Sequence, residues 1–406
     1  MTSHAPASLR SVSDIRPLDG VRVISLEHAI AAPFCSRQLA DLGAEVIKIE
    51  RPGTGDFARH YDSRARGLAS HFVWTNRGKQ SLTLDVKTSE GHEVLLALLG
   101  DADVLIQNLS PGASARLGLS FEALHEQFPR LIVCDISGYG NDGPYANKKA
   151  YDLLIQSESG LVSQTGTRDT PVKAGVSISD IAAGMYAYSN ILAALLKRAR
   201  SGEGSHIDVS MLEATVEWMG YPLYYALDGA EPPPRAGASH STIYPYGPFA
   251  AGGGQSVMLG LQNEREWGLF CEQVLKQPDL IDDPRFATNA ERSRARQALD
   301  AVIDEVFSTL SAEEVVARLD QAGIANAHVN EMADVWAHPQ LAARGRWCEV
   351  DSPVGPLQAL LPPGQGPASN TVMGAIPALG EHTREILVSL GHDDATIAAW
   401  REKGVV

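Results

Sequence analysis

The sequence predicts an α/β protein with a large domain on a parallel, Rossmann-like sheet and a smaller α+β domain after it. Three observations carry this. The first 140 residues alternate short β-branched runs with helical patterns through short connections, as βαβ units do. A proline cluster, Glu231-Pro-Pro-Pro-Arg235, then changes the character of the chain. Past it, a strand-and-turn segment is followed by a mainly helical one.

Taken in order, Val21–Leu26 reads as a strand and Pro33–Leu42 as a helix, closed by Gly43 at a left-handed cap position. Ala44–Ile49 is a second strand, with further strands at Ser81–Val86, Val104–Gln107 and Leu131–Ile136. Ser89–Leu99 and Phe121–Gln127 are helical. Two long helical stretches follow, Ile181–Arg200 and Ile207–Met219, separated by Ser201-Gly-Glu-Gly-Ser205. After the prolines, Tyr244–Ala250 and Ser256–Leu261 read as strands joined through Gly252-Gly-Gly-Gln255, a hairpin turn rather than a phosphate loop. Glu264–Leu319 is mainly helical. From His338 onward come short extended pieces and a final helix, Thr383–Leu390. Met1–Arg10 reads as a disordered lead-in without the apolar core of a signal peptide.

Composition narrows the function classes. A hydrophobic content of 44% with 20% charged residues belongs to an ordinary globular protein. No apolar run approaches the ~20 residues of a membrane helix. The net charge of −15 argues against nucleic acid as a partner. Cys35, Cys134, Cys271 and Cys348 lack paired spacing, so no zinc site or disulfide framework is expected and a cytoplasmic location is.

The residues that can carry chemistry are carboxylates and loop cations. Asp180 precedes the apolar-periodic run from Ile181, where an N-cap belongs. Asp152 and Glu213 are the other acidic positions of the helical middle. Arg51, Lys79, Arg116 and Lys149 sit in loops beside strand ends, where open α/β sheets collect anionic ligands. The first strand leads into Glu27-His-Ala-Ile-Ala-Ala-Pro33 with no glycine, so dinucleotide binding of the usual kind is disfavoured. There is no Gly-x-Ser-x-Gly elbow and no His/Cys cluster for a metal.

A series of segments runs along most of the chain: Pro17-Leu-Asp-Gly-Val-Arg-Val23, Gln38–Arg51, Asn108-Leu-Ser-Pro-Gly112, Gly138–Pro144, Tyr151-Asp152 and Asp180-Ile-Ala-Ala-Gly184. Arg198–Gly204, Asp283–Asn289, His338-Pro-Gln340 and Leu379–Leu387 continue it. In this order the segments resemble the class III coenzyme A transferases, the formyl-CoA transferase group. The resemblance implies an interlocked homodimer and a large domain, residues 1–215, completed by a C-terminal segment, 335–406, around a small domain, 216–334. It implies acyl-CoA and a small carboxylic acid as partners and Asp180 as covalent nucleophile. It also implies that Arg51, Lys79, Asn108, Arg116, Lys149 and Tyr151 line the coenzyme A site. Formyl-CoA transferase has a glutamine where this chain has Ile30, so oxalate specificity does not carry over.

A carboxylate suits this exchange, because a mixed anhydride and then a thioester keep the acyl group activated without metal or redox cofactor. Helix-start N–H groups are expected to stabilise the oxyanion. The donor is expected to be a thioester such as succinyl-CoA, and the acceptor a small dicarboxylate such as succinate, itaconate or mesaconate. His28, Ile30, Arg37 and His240 are the candidate substrate contacts. Two rival readings share the resemblance. One is the α-methylacyl-CoA racemase reaction, whose histidine is replaced here by Tyr151, a poor proton partner. The other is a non-catalytic CoA-binding paralogue, against which Asp180 stands.

Overall fold

The structure is a computed structural model describing residues 15–365 and 373–406; Met1–Arg10 lies outside the described residues. The chain divides into two units. One comprises Met1–Ser159, Gly175–Trp218 and Pro339–Val406, the other Gly160–Ala174 and Met219–His338.

The first unit is built on six strands: β1 (Arg22–Leu26), β2 (Glu45–Glu50), β3 (Lys79–Thr83), β4 (Val104–Gln107), β5 (Ile132–Ser137) and β6 (His206–Ser210). Their order is β3-β2-β1-β4-β5-β6, and every pairing is parallel. The inner strands β1, β4 and β5 are rich in Val, Ile and Leu because both faces are covered, while the edge strands β3 and β6 are more polar. Val23, Val46, Val104, Ile132 and Cys134 point to one face, where they meet the small residues of two helices, Ala31–Asp41 and Ile178–Ser201. Ile24, Ile47, Leu105 and Val133 point to the other, against helix Ser89–Gly100 and the C-terminal residues Ile386, Leu387, Ile397 and Val405.

One expectation changes here. Ile207–Met219 is not one helix: its first residues form β6, and a helix runs only over Met211–Trp218. Ile207-Asp-Val-Ser is extended because it pairs with β5. Ser210 then starts the helix, accepting the N–H of Glu213 at 3.0 Å and donating its hydroxyl to that residue's carboxylate at 2.8 Å.

The second unit holds β7 (Tyr246–Ala250), β8 (Ser256–Gly260) and β9 (Ala325–His328) in an antiparallel sheet, with Gly252–Gly254 closing the β7–β8 hairpin. Its core gathers Trp267, Phe270, Phe286 and Phe307 with Leu299, Val315 and Leu319. Back in the first unit, β10 (Trp347–Val350) and β11 (Leu357–Leu360) pair antiparallel. Helix Thr383–Ser389 is not the last element, since Asp393 caps a further helix, Asp394–Lys403. Among the described residues no helix is long and apolar enough to cross a membrane.

Candidate active site

In a sheet of this order the chain leaves β1 and β4 in opposite directions, opening a crevice beyond their carboxyl ends. The residues after β1 are Glu27 and His28, and those after β4 begin at Asn108. Asn108 joins the two loops: its Oδ1 accepts the His28 N–H at 2.9 Å and its Nδ2 donates to the His28 carbonyl at 2.9 Å. Ala29 next to it holds a φ of 61°, a strained value for a residue with a Cβ. Its N–H is tied to Asp56 Oδ1 at 3.2 Å. The His28 ring stacks on Phe57 at 5.4 Å. Burial, opposed by Asp56 and aided by Lys48 and Arg51, lowers the His28 pKa, so the ring is kept neutral.

Beneath this loop lies a buried group of charges. Glu27 receives Lys79 Nζ at 2.7 Å, Lys48 Nζ at 3.4 Å and the Ser36 hydroxyl at 2.7 Å, while Lys48 also reaches Asp56 at 2.8 Å. Burial opposes ionisation of Glu27, yet the two ammonium groups hold its pKa below the ordinary value. Lys79 is therefore not a loop cation. It begins β3, and its side chain is wholly buried, with its other bonds going to Asn76 Oδ1 at 2.9 Å and the Pro33 carbonyl at 3.0 Å. Burial pulls its ammonium down to about 8, against the attraction of Glu27.

Arg51 and Lys149 are exposed on the loops that follow β2 and β5, and Arg116 is exposed at the end of the short helix Ala113–Arg116 in the connection that follows β4. Because those strands are parallel, all three loops emerge at the same edge of the sheet. Arg37 and Ile30 go elsewhere. Ile30 is buried at the start of helix Ala31–Asp41. Arg37 is buried over the Phe34 ring at 5.0 Å and paired with Asp41 at 3.1 Å, to which Arg77 also donates twice, at 2.9 and 2.8 Å. Both were expected to face substrate, but the structure packs Ile30, at the N-cap, and Arg37, on the helix, away from solvent. His240 belongs to the second unit, where it stacks on Tyr246 and its Nδ1 accepts the N–H groups of Thr242 and Ile243 at 3.2 and 3.0 Å.

Asp180 is not an N-cap. Helix Ile178–Ser201 starts two residues earlier, with Ser177 at the cap, so Asp180 lies within the first turn. The helix approaches Ala31–Asp41 closely at Gly184, where a Cβ would stand 2.7 Å from the Ala31 carbonyl oxygen. The first-turn donors are already committed: Asp152 Oδ1 accepts the N–H of Ser179 at 2.8 Å and that of Asp180 at 3.3 Å. Those N–H groups do not await an oxyanion, contrary to expectation. Burial, and then the charge of Asp152, push the Asp180 carboxyl up to about 7.

Three residues that spacing alone overlooked complete the surroundings. Tyr61 is half-exposed, and its phenol is pushed up to about 12 by burial and by the nearby Asp56, Asp180 and Tyr151. Phe57 lies 5.8 Å from Tyr61, continuing the row from His28. Glu50 anchors the segment that carries them, taking both Arg59 Nε and Nη2 at 2.7 Å and the Asp56 N–H at 3.1 Å. Burial would raise Glu50, but those bonds and Lys48 hold it at about 2. The Phe57/Tyr61 pair, four residues apart beside the capping residue Asp56, was the signal that could have marked this wall.

Among the described residues, this unit thus offers a carboxylate without hydrogen-bond donors and a sheet edge bearing exposed cations. Comparison makes this specific. The pattern of CoA-transferase family III matches residues 18–383, and the chain belongs to that family. It is 33% identical over 405 residues to the succinyl-CoA:glutarate CoA-transferase of Homo sapiens, covering 97% of this chain and 91% of that protein. The formyl-CoA:oxalate CoA-transferase of Escherichia coli O157:H7 is 33% identical over 415 residues, 96% of this chain and 99% of that protein. A CAIB/BAIF family protein from Brucella suis matches in structure with a TM-score of 0.80 at 34% identity, covering 92% of this chain and 99% of that one. The protein is thus an enzyme of acyl-CoA and carboxylic acid chemistry.

Proposed function

We propose that the enzyme transfers CoA from succinyl-CoA to a small dicarboxylate such as glutarate, with Asp180 as the nucleophile. The observation that carries this is the Asp180 carboxylate, basic for its kind and free of backbone donors, on a helix start near Tyr61. The substrates follow the names of the human and Agrobacterium fabrum relatives, the latter a succinate–glutarate CoA-transferase 34% identical over 392 residues.

An Asp180 oxygen attacks the acyl carbon of the thioester; the C–S bond breaks and CoA thiolate leaves, giving a mixed anhydride. The thiolate adds to the Asp180 carbonyl carbon and expels succinate, leaving an aspartyl-CoA thioester. The acceptor carboxylate attacks that carbon and releases the thiolate, which then attacks the acceptor's acyl carbon and frees Asp180. Arg51, Arg116 and Lys149 would meet the phosphates of CoA at the sheet edge, and Asn108 and Tyr151 its chain. His28, a neutral imidazole held at the crevice, would meet the acyl group. Each intermediate hydrolyses, so water must be excluded. An interlocked homodimer in the cytoplasm is the assembly that would provide this, in keeping with four free cysteines.

The test combines turnover and trapping. With succinyl-CoA and glutarate the enzyme should form glutaryl-CoA, and hydroxylamine should mark Asp180. Asp180→Ala should abolish both. A mark on another residue, or transfer surviving in Asp180→Ala, refutes the assignment. Deuterium entering carbon 2 of a branched acyl-CoA without CoA exchange would establish the racemase reaction instead.

A further inference from the structure

Asp152 and Asp180 are two carboxylates brought together from separate helices. Asp152 is the first residue of helix Asp152–Glu158, with Tyr151 at the N-cap position. Its Oδ2 takes Gln156 Nε2 at 2.6 Å, which fixes the side chain within its own helix. Its Oδ1 crosses to the neighbouring helix and accepts the N–H groups of Ser179 and Asp180. An acidic residue in a first turn ordinarily draws on those N–H groups and the helix dipole for itself. Here the cap comes from outside, and among the described residues nothing donates to the Asp180 carboxylate.

We propose that Asp152 is a positioning residue for the transfer, capping the helix in place of Asp180 and leaving the reacting carboxylate without backbone donors. This rests on Asp180 being the nucleophile. The consequence is chemical as well as geometric. An ionised Asp180 denied donors and set beside a second negative charge is a high-energy carboxylate, so exchange with succinyl-CoA favours the aspartyl thioester. The raised Asp180 pKa agrees, with burial as its larger cause and Asp152 as the other. The phenol of Tyr61 also feels the Asp180 charge, and Tyr151 in turn acts on Tyr61. Neither carries a compensating positive charge.

Two variants separate cap from charge. Asparagine keeps an oxygen able to accept both N–H groups, whereas alanine removes it. Because Asp180 must be ionised to attack, activity rises with pH through its pKa. In Asp152→Asn the acidic limb of kcat/KM for succinyl-CoA should move to lower pH by about one unit, since a like charge is gone. The aspartyl-CoA thioester, trapped at a fixed succinyl-CoA to succinate ratio, should fall about tenfold in step with that shift. The variant loses only the Gln156 bond, where its Nδ2 would meet a donor, so its melting temperature should fall less than that of Asp152→Ala. Asp152→Ala should add a loss of kcat and a lower melting temperature. A parent-like acidic limb and thioester fraction in a folded Asp152→Asn overturn the role. Absence of any Asp180 adduct in the unsubstituted enzyme overturns the nucleophile, a result read from the parent alone.

Discussion

Lys79→Met asks whether a cation beside the sheet edge binds ligand or holds the core. Methionine keeps the reach of the side chain and removes its charge and donors. The structure shows what is lost: bonds to Glu27 at 2.7 Å, Asn76 at 2.9 Å and the Pro33 carbonyl at 3.0 Å, none of them open to solvent. Two lysines and two carboxylates balance in this group, and the substitution leaves Lys48 alone against Glu27 and Asp56. Breaking a buried ion pair from one side costs about 3–5 kcal/mol. The two neutral acceptors left behind fall partly within that figure, at ~1–3 kcal/mol each if water does not reach them. Against a net stability of ~5–15 kcal/mol, this is a large share. Urea unfolding followed by circular dichroism should therefore show a clear drop in midpoint, while the KM for acyl-CoA of the protein still folded changes little. Arg51→Ala, an exposed cation, should do the reverse. An unchanged midpoint in Lys79→Met together with a KM raised tenfold would refute the reasoning and return Lys79 to the ligand site.

Two further outcomes follow from the helix that carries Asp180. With its carboxyl raised from 3.8 to about 7, the folded state binds more protons than the unfolded one between those values. Its contribution is therefore fully present below about pH 4 and is lost as pH rises toward 7, with a ceiling of ~4 kcal/mol at ~1.4 kcal/mol per pH unit. Asp180→Asn should accordingly gain melting temperature over the parent as the buffer is taken from pH 4 to pH 8, and a constant difference would contradict this. Gly184→Ala would set a Cβ 2.7 Å from the Ala31 carbonyl oxygen and 3.0 Å from the Phe34 ring. Forcing the two helices apart should cost ~1–3 kcal/mol and lower kcat, since Asp180 lies one turn away; an unaltered melt and kcat would show that the helix yields without strain.

Much of the frame was legible in the chain. Val104–Gln107 and Phe121–Gln127 form as their local pattern indicates, and the Gly252 turn closes the hairpin between β7 and β8. Periodicity misled at Ile207, where an apolar alternation preceding a helix was absorbed into it. Helix Asp394–Lys403 escaped notice although Asp393 caps it, because its apolar face is short.

By itself the sequence determined the parallel α/β sheet, the basic loops at its edge and an aspartate at a helix start. These are encoded by spacing within a few residues, which fixes which way a side chain leaves the backbone. Only the tertiary structure decided what each charge does. Lys79 and Glu27 meet across 52 residues of chain, and Asp152 reaches the N–H of Asp180 across 28. A charge's solvation and partners come from such distant neighbours. That is why one of two outwardly similar cations, Lys79, is sealed in the core while Arg51 stays exposed, and why Asp180 holds a raised pKa that its own helix position would have lowered.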